Sequence, residues 1–500
     1  MTQIVERVDK QTSLPESWLV CKLADLAEFS KNKAAPDKLD ANTRYIGLEH
    51  IEKDTGSLLD YGTSAEVRST KSCFKEGELL YGKLRPYLNK VHVAEFEGIC
   101  STDILVLRTL GGVHAKYLHY RLLSKDFVRY ANKNVSGVQH PRVNARIVSQ
   151  FDVELPPLNE QCRIVKKIEE LFTKLDAGVH SLEQARAQLK SYRRSVLKAA
   201  VEGELSREWR EAHRDELEPA SELLDRILQE RRESFASKKY KEPASPETEE
   251  SPGLPDGWAW AKADQLFNFV TSGSRGWAKY YSDEGPISLR IGNLDHDSIA
   301  LDLRDIQHVQ PPEGAEGIRT RVISDDVLIS ITADIGMVAV IPPDFKEAYI
   351  NQHIALARPS QRMNIKYLAW YLASEPGNKQ LTGRQYGATK PGLNLEDVRS
   401  VAVPVPPLKE QRFIVEEVER RLSVVDKLEA TIEENLKQAA GLRQSILKQA
   451  FSGELVPQDP DDEPASVLLA RIRSEREATK PKAKRPRKVR EGDEAQGRLI

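Results

Sequence analysis

Residues 156–205 read PPLNEQCRIVKKIEELFTKLDAGVHSLEQARAQLKSYRRSVLKAAVEGEL, and residues 406–455 read PPLKEQRFIVEEVERRLSVVDKLEATIEENLKQAAGLRQSILKQAFSGEL. The stretches align without a gap, 250 positions apart. They share Pro156/Pro406, Glu160/Glu410, Gln161/Gln411, Ile164/Ile414, Asp176/Asp426, Arg193/Arg443, Leu197/Leu447 and Gly203/Gly453. The chain is therefore a tandem duplication, and the repeated segment decides how the rest is organised.

Each copy of the segment reads as a long amphipathic helix. Taking Ile168 as heptad position a, the register passes through Leu175, Leu182, Leu189 and Val196, with Leu171 and Tyr192 at d. The second copy places Val418, Val425, Ile432 and Ile446 at a, with Leu428 and Leu442 at d. These thirteen residues are the expected inter-helix contacts. Gly178, Arg421 and Asn435 interrupt the d positions, so the seam needs a matched partner. The Pro-Pro pairs mark the helix starts, Glu160 and Glu410 suit the positive end of the dipole, and Gly203 and Gly453 mark the stops. About 42 helical residues make a rod on the order of 60 Å long.

Two globular regions precede the rods, 14–157 and 253–407. Strand-like segments at 44–48, 78–81, 90–93 and 103–107 and a helix-like stripe at 115–130 predict an α+β domain. In the second copy, 326–329 answers 78–81, 353–358 answers 103–108, and Gly387 and Asn394 answer Gly137 and Asn144. Between these anchors the copies differ. Helical spacer regions are expected at 158–240 and 408–478, each with a second helix after Glu218-Pro219 or Glu463-Pro464. An acidic Pro-rich linker spans 241–252; 1–13 is a polar leader, and 479–500 reads as a disordered basic tail.

Five hundred residues with 40% hydrophobic content support several cores. No apolar run reaches membrane-span length, and the start lacks a secretory signal, so a cytoplasmic protein is expected. Cys21, Cys73, Cys100 and Cys162 have neither CxxC spacing nor nearby histidines, which argues for reduced thiols. The net charge of −2 gives no global nucleic-acid signal. Locally, residues 83–146 carry 11 Lys/Arg against four acids, and residues 346–399 carry eight against four. Such segregation suits a phosphate-binding face on each half.

Catalytic signatures fail on inspection. Residues 77–83 fit GxxxxGK, but Leu84 replaces the hydroxyl residue and Pro86 prevents the following helix. None of the Pro-Pro pairs forms an amino-methyltransferase tetrapeptide, Asp344-Phe345-Lys346 lacks a partner acid, and no HExxH is present. No catalytic residue, metal or cofactor is expected on this chain.

The order LPxxW, globular region, PPLxEQ helix ending GEL and EPAS helix, repeated once, resembles the specificity subunit of type I DNA restriction-modification enzymes over residues 14–478. The resemblance implies two target recognition domains held apart by two antiparallel helices in a pseudo-two-fold arrangement, reading a split, asymmetric site on double-stranded DNA. It implies two methyltransferase (modification) subunits and motor-nuclease restriction subunits as partners. S-adenosylmethionine, ATP and magnesium would sit on those partners. The candidate readers are Lys83, Arg85, Tyr87 and Lys90 around one basic turn and Gln139, Arg142 and Asn144 in a Gly/Pro loop. In the second copy they are Arg275, Arg290, Arg384, Lys390 and Asn394. Arginine, lysine and amide side chains are the groups that contact base edges and phosphates, and an asparagine there can equally cap a helix. The competing reading is a scaffold with two protein-binding lobes and no DNA contact.

Overall fold

A computed structural model describes residues 14–35, 38–234, 240–247, 252–273, 275–311, 314–383 and 392–479. The leader, residues 480–500 of the tail, Arg384 and Lys390 lie outside the described residues. The chain divides into two units, one of residues 1–181 with 435–500, the other of residues 182–434.

In the first unit the globular domain has a four-stranded antiparallel sheet, in spatial order Ala27–Phe29, Ile104–Thr109, Leu79–Gly82 and Val91–Val93. A mixed five-stranded sheet runs Lys33–Ala34, Lys71–Phe74, Gly98–Cys100, Arg44–Ile46 and Gly62–Thr63. Leu19–Lys22 pairs antiparallel with Asp152–Leu155, so the two ends of the domain are tied together beside the helix start. The second unit repeats the plan. Phe267–Ser272, Ile354–Pro359, Val327–Ser330 and Val338–Val340 form its four-stranded sheet, a three-stranded sheet replaces the five-stranded one, and Ala259–Lys262 pairs with Ala402–Val405. The four strands expected in the first domain are all present. The helix expected over 115–130 is two, Ala115–Leu123 and Lys125–Lys133. Ser124 separates them by accepting from the Phe127 amide at 3.5 Å, while the apolar stripe of Tyr117, Leu118, Leu122 and Phe127 continues across the break. Periodicity therefore runs through a point where a side chain caps the backbone.

The long helices are Leu158–Val201 and Leu408–Phe451, 44 residues each. They begin at the residue after the Pro-Pro pairs. They end two residues before Gly203 and Gly453, whose φ of +77° and +79° only glycine adopts cheaply. In the first unit, Ile164, Val165, Ile168 and Phe172 from the start of one helix share a core with Ile446, Leu447, Ala450 and Phe451 from the end of the other. Residue numbers there run in opposite directions, Arg163 meeting Asp462 and Asp176 meeting Arg443, so the packing is antiparallel. The second unit repeats this, with Arg193 on Asp426 and Arg210 on Glu410. The helices Ala220–Ser234 and Ala465–Thr479 complete the second and first units respectively.

The heptad register needs correction at one of its two positions. Ile168, Val196, Val418, Val425, Ile432 and Ile446 are buried, and Leu175, Leu182 and Leu189 are half-buried, as expected. Leu171 is only half-buried, and Tyr192, Leu428 and Leu442 are 44%, 47% and 53% exposed. The second stripe lies four residues after the first rather than three. It contains Phe172, Arg193 and Ala200 in one helix and Leu422, Glu429, Leu436, Arg443 and Ala450 in the other. Charged residues at three of these positions hid the stripe. Arg193 pairs with Asp426 and Glu429, and Arg443 pairs with Asp176 and stacks on Phe172. Asp176/Asp426 and Arg193/Arg443, two charged positions kept in both copies, are thus partners of one another across the helix pair. With Leu422 3% exposed, Leu422→Ala is expected to cost about 2–4 kcal/mol of unfolding free energy. Leu428→Ala and Leu442→Ala should each cost under about 0.5 kcal/mol. Denaturant unfolding of the three variants distinguishes the registers.

Candidate nucleic-acid interface

The loops rest on a scaffold that the two repeated motifs build jointly. The Trp18 indole donates to the Glu160 carboxylate at 2.9 Å, and the Trp258 indole donates to Glu410 at 2.9 Å. Gln458 adds a bond to Glu160 at 2.6 Å, while Ser206 and Arg210 add bonds to Glu410 at 2.6 and 2.7 Å. LPxxW and PPLxEQ are therefore two halves of one joint. Burial pushes the Glu160 carboxyl above its usual range, and its bonds to Trp18 and Gln458 pull the other way. The neighbouring glutamines fasten each domain to its helix. Gln161 accepts from the His114 amide and donates to the Pro156 carbonyl, both at 3.0 Å. Gln411 does the same with Asn364 and Pro406 at 2.8 Å. Glu160 and Glu410 thus do more than face a helix dipole.

In the first domain the two nominated loops come together. The Arg85 amide donates to the Pro141 carbonyl at 2.7 Å, and the Val143 amide donates to the Lys83 carbonyl at 3.1 Å. The Lys83 amide donates to the Asp103 carbonyl at 2.9 Å. Asp103 also faces the Arg142 guanidinium at 3.3 Å and the Lys83 ammonium at 4.0 Å. Arg85 is exposed at a left-handed φ of +51°, Tyr87 is 52% exposed, and Gln139 is exposed beside them. Three cations and one carboxylate leave this cluster positive. Two nominated residues have other duties. The Lys90 ammonium donates to the Leu48 carbonyl at 2.6 Å, and Asn144 caps Ala145–Ser149 by accepting from the Ile147 amide at 3.0 Å.

The second domain builds the same crossing with different chemistry. The Leu393 amide donates to the Ile331 carbonyl at 2.8 Å, and the Ile331 amide donates to the His353 carbonyl at 3.0 Å. Thr332 bridges to Gly392 as Leu84 bridges to Arg142, and Ala333 has a φ of +62° where Arg85 has +51°. Ile331, Thr332 and Ala333 therefore occupy the places of Lys83, Leu84 and Arg85, with His353 at Asp103 and Gly392 at Arg142. At the opposite end of the same two strands an ion pair is kept in each domain, Arg108 on Glu78 at 2.9 Å and Arg358 on Asp326 at 2.7 Å. Of the second-copy nominees, Arg275 is exposed, Arg290 pairs with Asp305 at 2.9 Å, and Asn394 caps Leu395–Arg399 from the Asp397 amide. None of the three joins the crossing. Thr332, Gln352 and His353 do, and sequence reading passed them over. The offset of 248 that aligns 326–329 with 78–81 also carries 84 to 332, and the offset of 250 that aligns 353–358 with 103–108 carries 102 to 352, so the two alignments together would have found them.

A family model described as "Type I restriction modification DNA specificity domain" matches residues 15–185 and 318–439, together more than half of the chain. The chain belongs to the type I restriction-modification DNA specificity family. The resemblance read from the doubled PPLxEQ and LPxxW motifs therefore holds. The Escherichia coli type I restriction enzyme EcoDI specificity subunit is 33% identical over 232 residues, covering 45% of this chain and 51% of that protein. The chain thus spans about half the length of that relative. The EcoBI specificity subunit of the same organism is 27% identical over 362 residues, covering 70% and 69%. A solved structure titled "Structural basis underlying complex assembly and conformational transition of the type I R-M system" superposes with a TM-score of 0.65 at 19% identity. It covers 88% of this chain and 99% of that one, and it shares the fold. Among the described residues no group of three or more His, Cys, Asp or Glu is placed to hold a metal, and no helix is long and apolar enough to cross a membrane. Cys21 and Cys100 are buried free thiols, each pushed up to about 12 by burial; Cys73 is half-buried and Cys162 exposed.

Proposed function

We propose that this chain is the non-catalytic, sequence-specific DNA-binding subunit of a type I restriction-modification complex, reading a bipartite, asymmetric site on double-stranded DNA. The observation that carries the reading is one scaffold built twice with different loop chemistry. The Trp-Glu joint, the glutamine staples, the ion pair at the far end of the paired strands and the left-handed turn recur. The Lys83, Arg85 and Arg142 cluster becomes Ile331, Ala333 and Gly392. Duplicated domains that keep their frame and change their tips suit the reading of two different half-sites.

In this reading two methyltransferase subunits dock on the repeated helical parts and methylate the DNA from S-adenosylmethionine. Restriction subunits supply the ATP-dependent, magnesium-dependent chemistry, and the work takes place in the cytoplasm. A duplicated chain offers two matching surfaces, as two identical partners require. Each 44-residue helix is about 66 Å long, and its length sets the unread spacer. Inserting one heptad into both helices is expected to lengthen the spacer and leave both half-sites unchanged, as read by DNA selection with the reconstituted complex. Altered half-sites with an unchanged spacer would contradict the ruler. Binding by that complex should also weaken steeply with salt; a slope of log K against log salt near zero would favour the protein-binding scaffold instead.

A further inference from the structure

At the crossing of the second domain, Gln352, His353 and Thr332 form a hydrogen-bonded row. The Gln352 amide nitrogen donates to His353 Nε2 at 2.8 Å. In this arrangement the amide nitrogen donates, the ring nitrogen accepts and the ring proton sits on Nδ1. Nδ1 then donates to Thr332 Oγ1 at 2.5 Å. The histidine backbone is held as well, its amide donating to Asn351 Oδ1 at 3.0 Å and its carbonyl accepting from Ile331. The ring is thereby fixed at both nitrogens, and through it the plane of the Gln352 amide.

This row leaves Gln352 with one amide N–H and its carbonyl oxygen unengaged, on a half-buried side chain at the turn equivalent to the basic cluster of the first domain. One donor and one acceptor side by side match the major-groove edge of adenine, which offers the N6 amino donor and the N7 acceptor. They do not match guanine, whose O6 and N7 both accept. Either orientation of the amide leaves it a donor and an acceptor, and the bond to the imidazole holds them in one plane.

We propose that Gln352 reads an adenine in the half-site of the second domain, and that His353 and Thr332 are positioning residues that fix its amide. The proposal rests on the recognition reading above. It is tested by sequencing the methylated sites of cells that produce the full chain with its partner subunits, as wild type and as Gln352→Ala, Gln352→Glu, His353→Ala and Gln352→Ala/His353→Ala. Gln352→Ala is expected to reduce an adenine preference of about tenfold or more, at one position of one half-site, to under about threefold. Gln352→Glu should move that position towards cytosine, whose N4 amino group a carboxylate accepts. His353→Ala should broaden the same position, and the double variant should be no broader than Gln352→Ala, because the histidine acts through the glutamine. A variant that methylates nothing is assayed by DNA selection with its purified complex, with the same expectations. Two unchanged half-sites in every variant, broadening in the half-site of the first domain, or loss of all binding by both folded Gln352 variants would overturn the proposal while the recognition reading stands. A wild type that yields no bipartite site would overturn that reading, and this proposal with it.

Discussion

Replacing Glu410 with alanine is expected to destabilise the second unit by about 3–5 kcal/mol, the usual cost of breaking a buried ion pair from one side. Glu410 is fully buried and accepts from the Trp258 indole, the Ser206 hydroxyl and the Arg210 guanidinium. Alanine leaves all three donors without an acceptor, and the Arg210 side chain, 13% exposed, has little water to turn to. At about 2–4 °C per kcal/mol for a unit of this size, the unfolding transition should fall by roughly 10 °C. Glu410→Gln keeps acceptor capacity for the tryptophan but not the charge facing Arg210, so it should recover part of the loss. A fall of under about 2 °C for the alanine variant would show that the joint between LPxxW and PPLxEQ does not hold the unit together.

The second large effect is expected on DNA rather than on folding. Lys83, Arg85 and Arg142 converge on one crossing, with Asp103 the carboxylate facing two of them. Each phosphate that loses a cation removes about 0.9 from the slope of log K against log salt, and each bidentate arginine-base pair lost costs about 1–3 kcal/mol. Lys83→Ala/Arg85→Ala/Arg142→Ala should therefore reduce the salt slope by about 1–3 and the affinity of the reconstituted complex by about tenfold to a thousandfold. Lys90→Ala should leave the slope unchanged, since that ammonium is bonded to the Leu48 carbonyl. Equal slopes for the triple variant and the wild type would remove this cluster from the interface.

Much of the architecture was legible because it is written in periodicity and repetition. The helix starts and stops, the principal strands and the equivalence of the two domains all follow from spacing that survives in both copies. The seam was half legible. Leucines at i+3 look more like core than an arginine or glutamate at i+4, yet the stripe runs through Arg193, Glu429 and Arg443, whose charges are answered from the facing helix or stacked on Phe172. Hydrophobicity could not find that partnership, but the retention of Asp176/Asp426 and Arg193/Arg443 in both copies pointed to it. The residues that meet at the first crossing were legible where they were cationic, as at Lys83, Arg85 and Arg142. At the second crossing Thr332, Gln352 and His353 were missed, because they gain meaning from the row they form and from the turn they share with the other domain. Lys90 and Asn144 show the converse, residue types suited to DNA that the fold uses for its own backbone.

The central claim, that two diverged domains on one duplicated frame read two different half-sites, is tested most directly by sequencing the methylated sites of a genome in cells that carry this chain with its partner subunits. The account predicts a single bipartite motif, two unlike half-sites separated by a spacer of fixed length and free composition, that disappears when the chain is removed. Methylation that is unchanged without the chain, or a motif that is continuous or identical in its two halves, would contradict it.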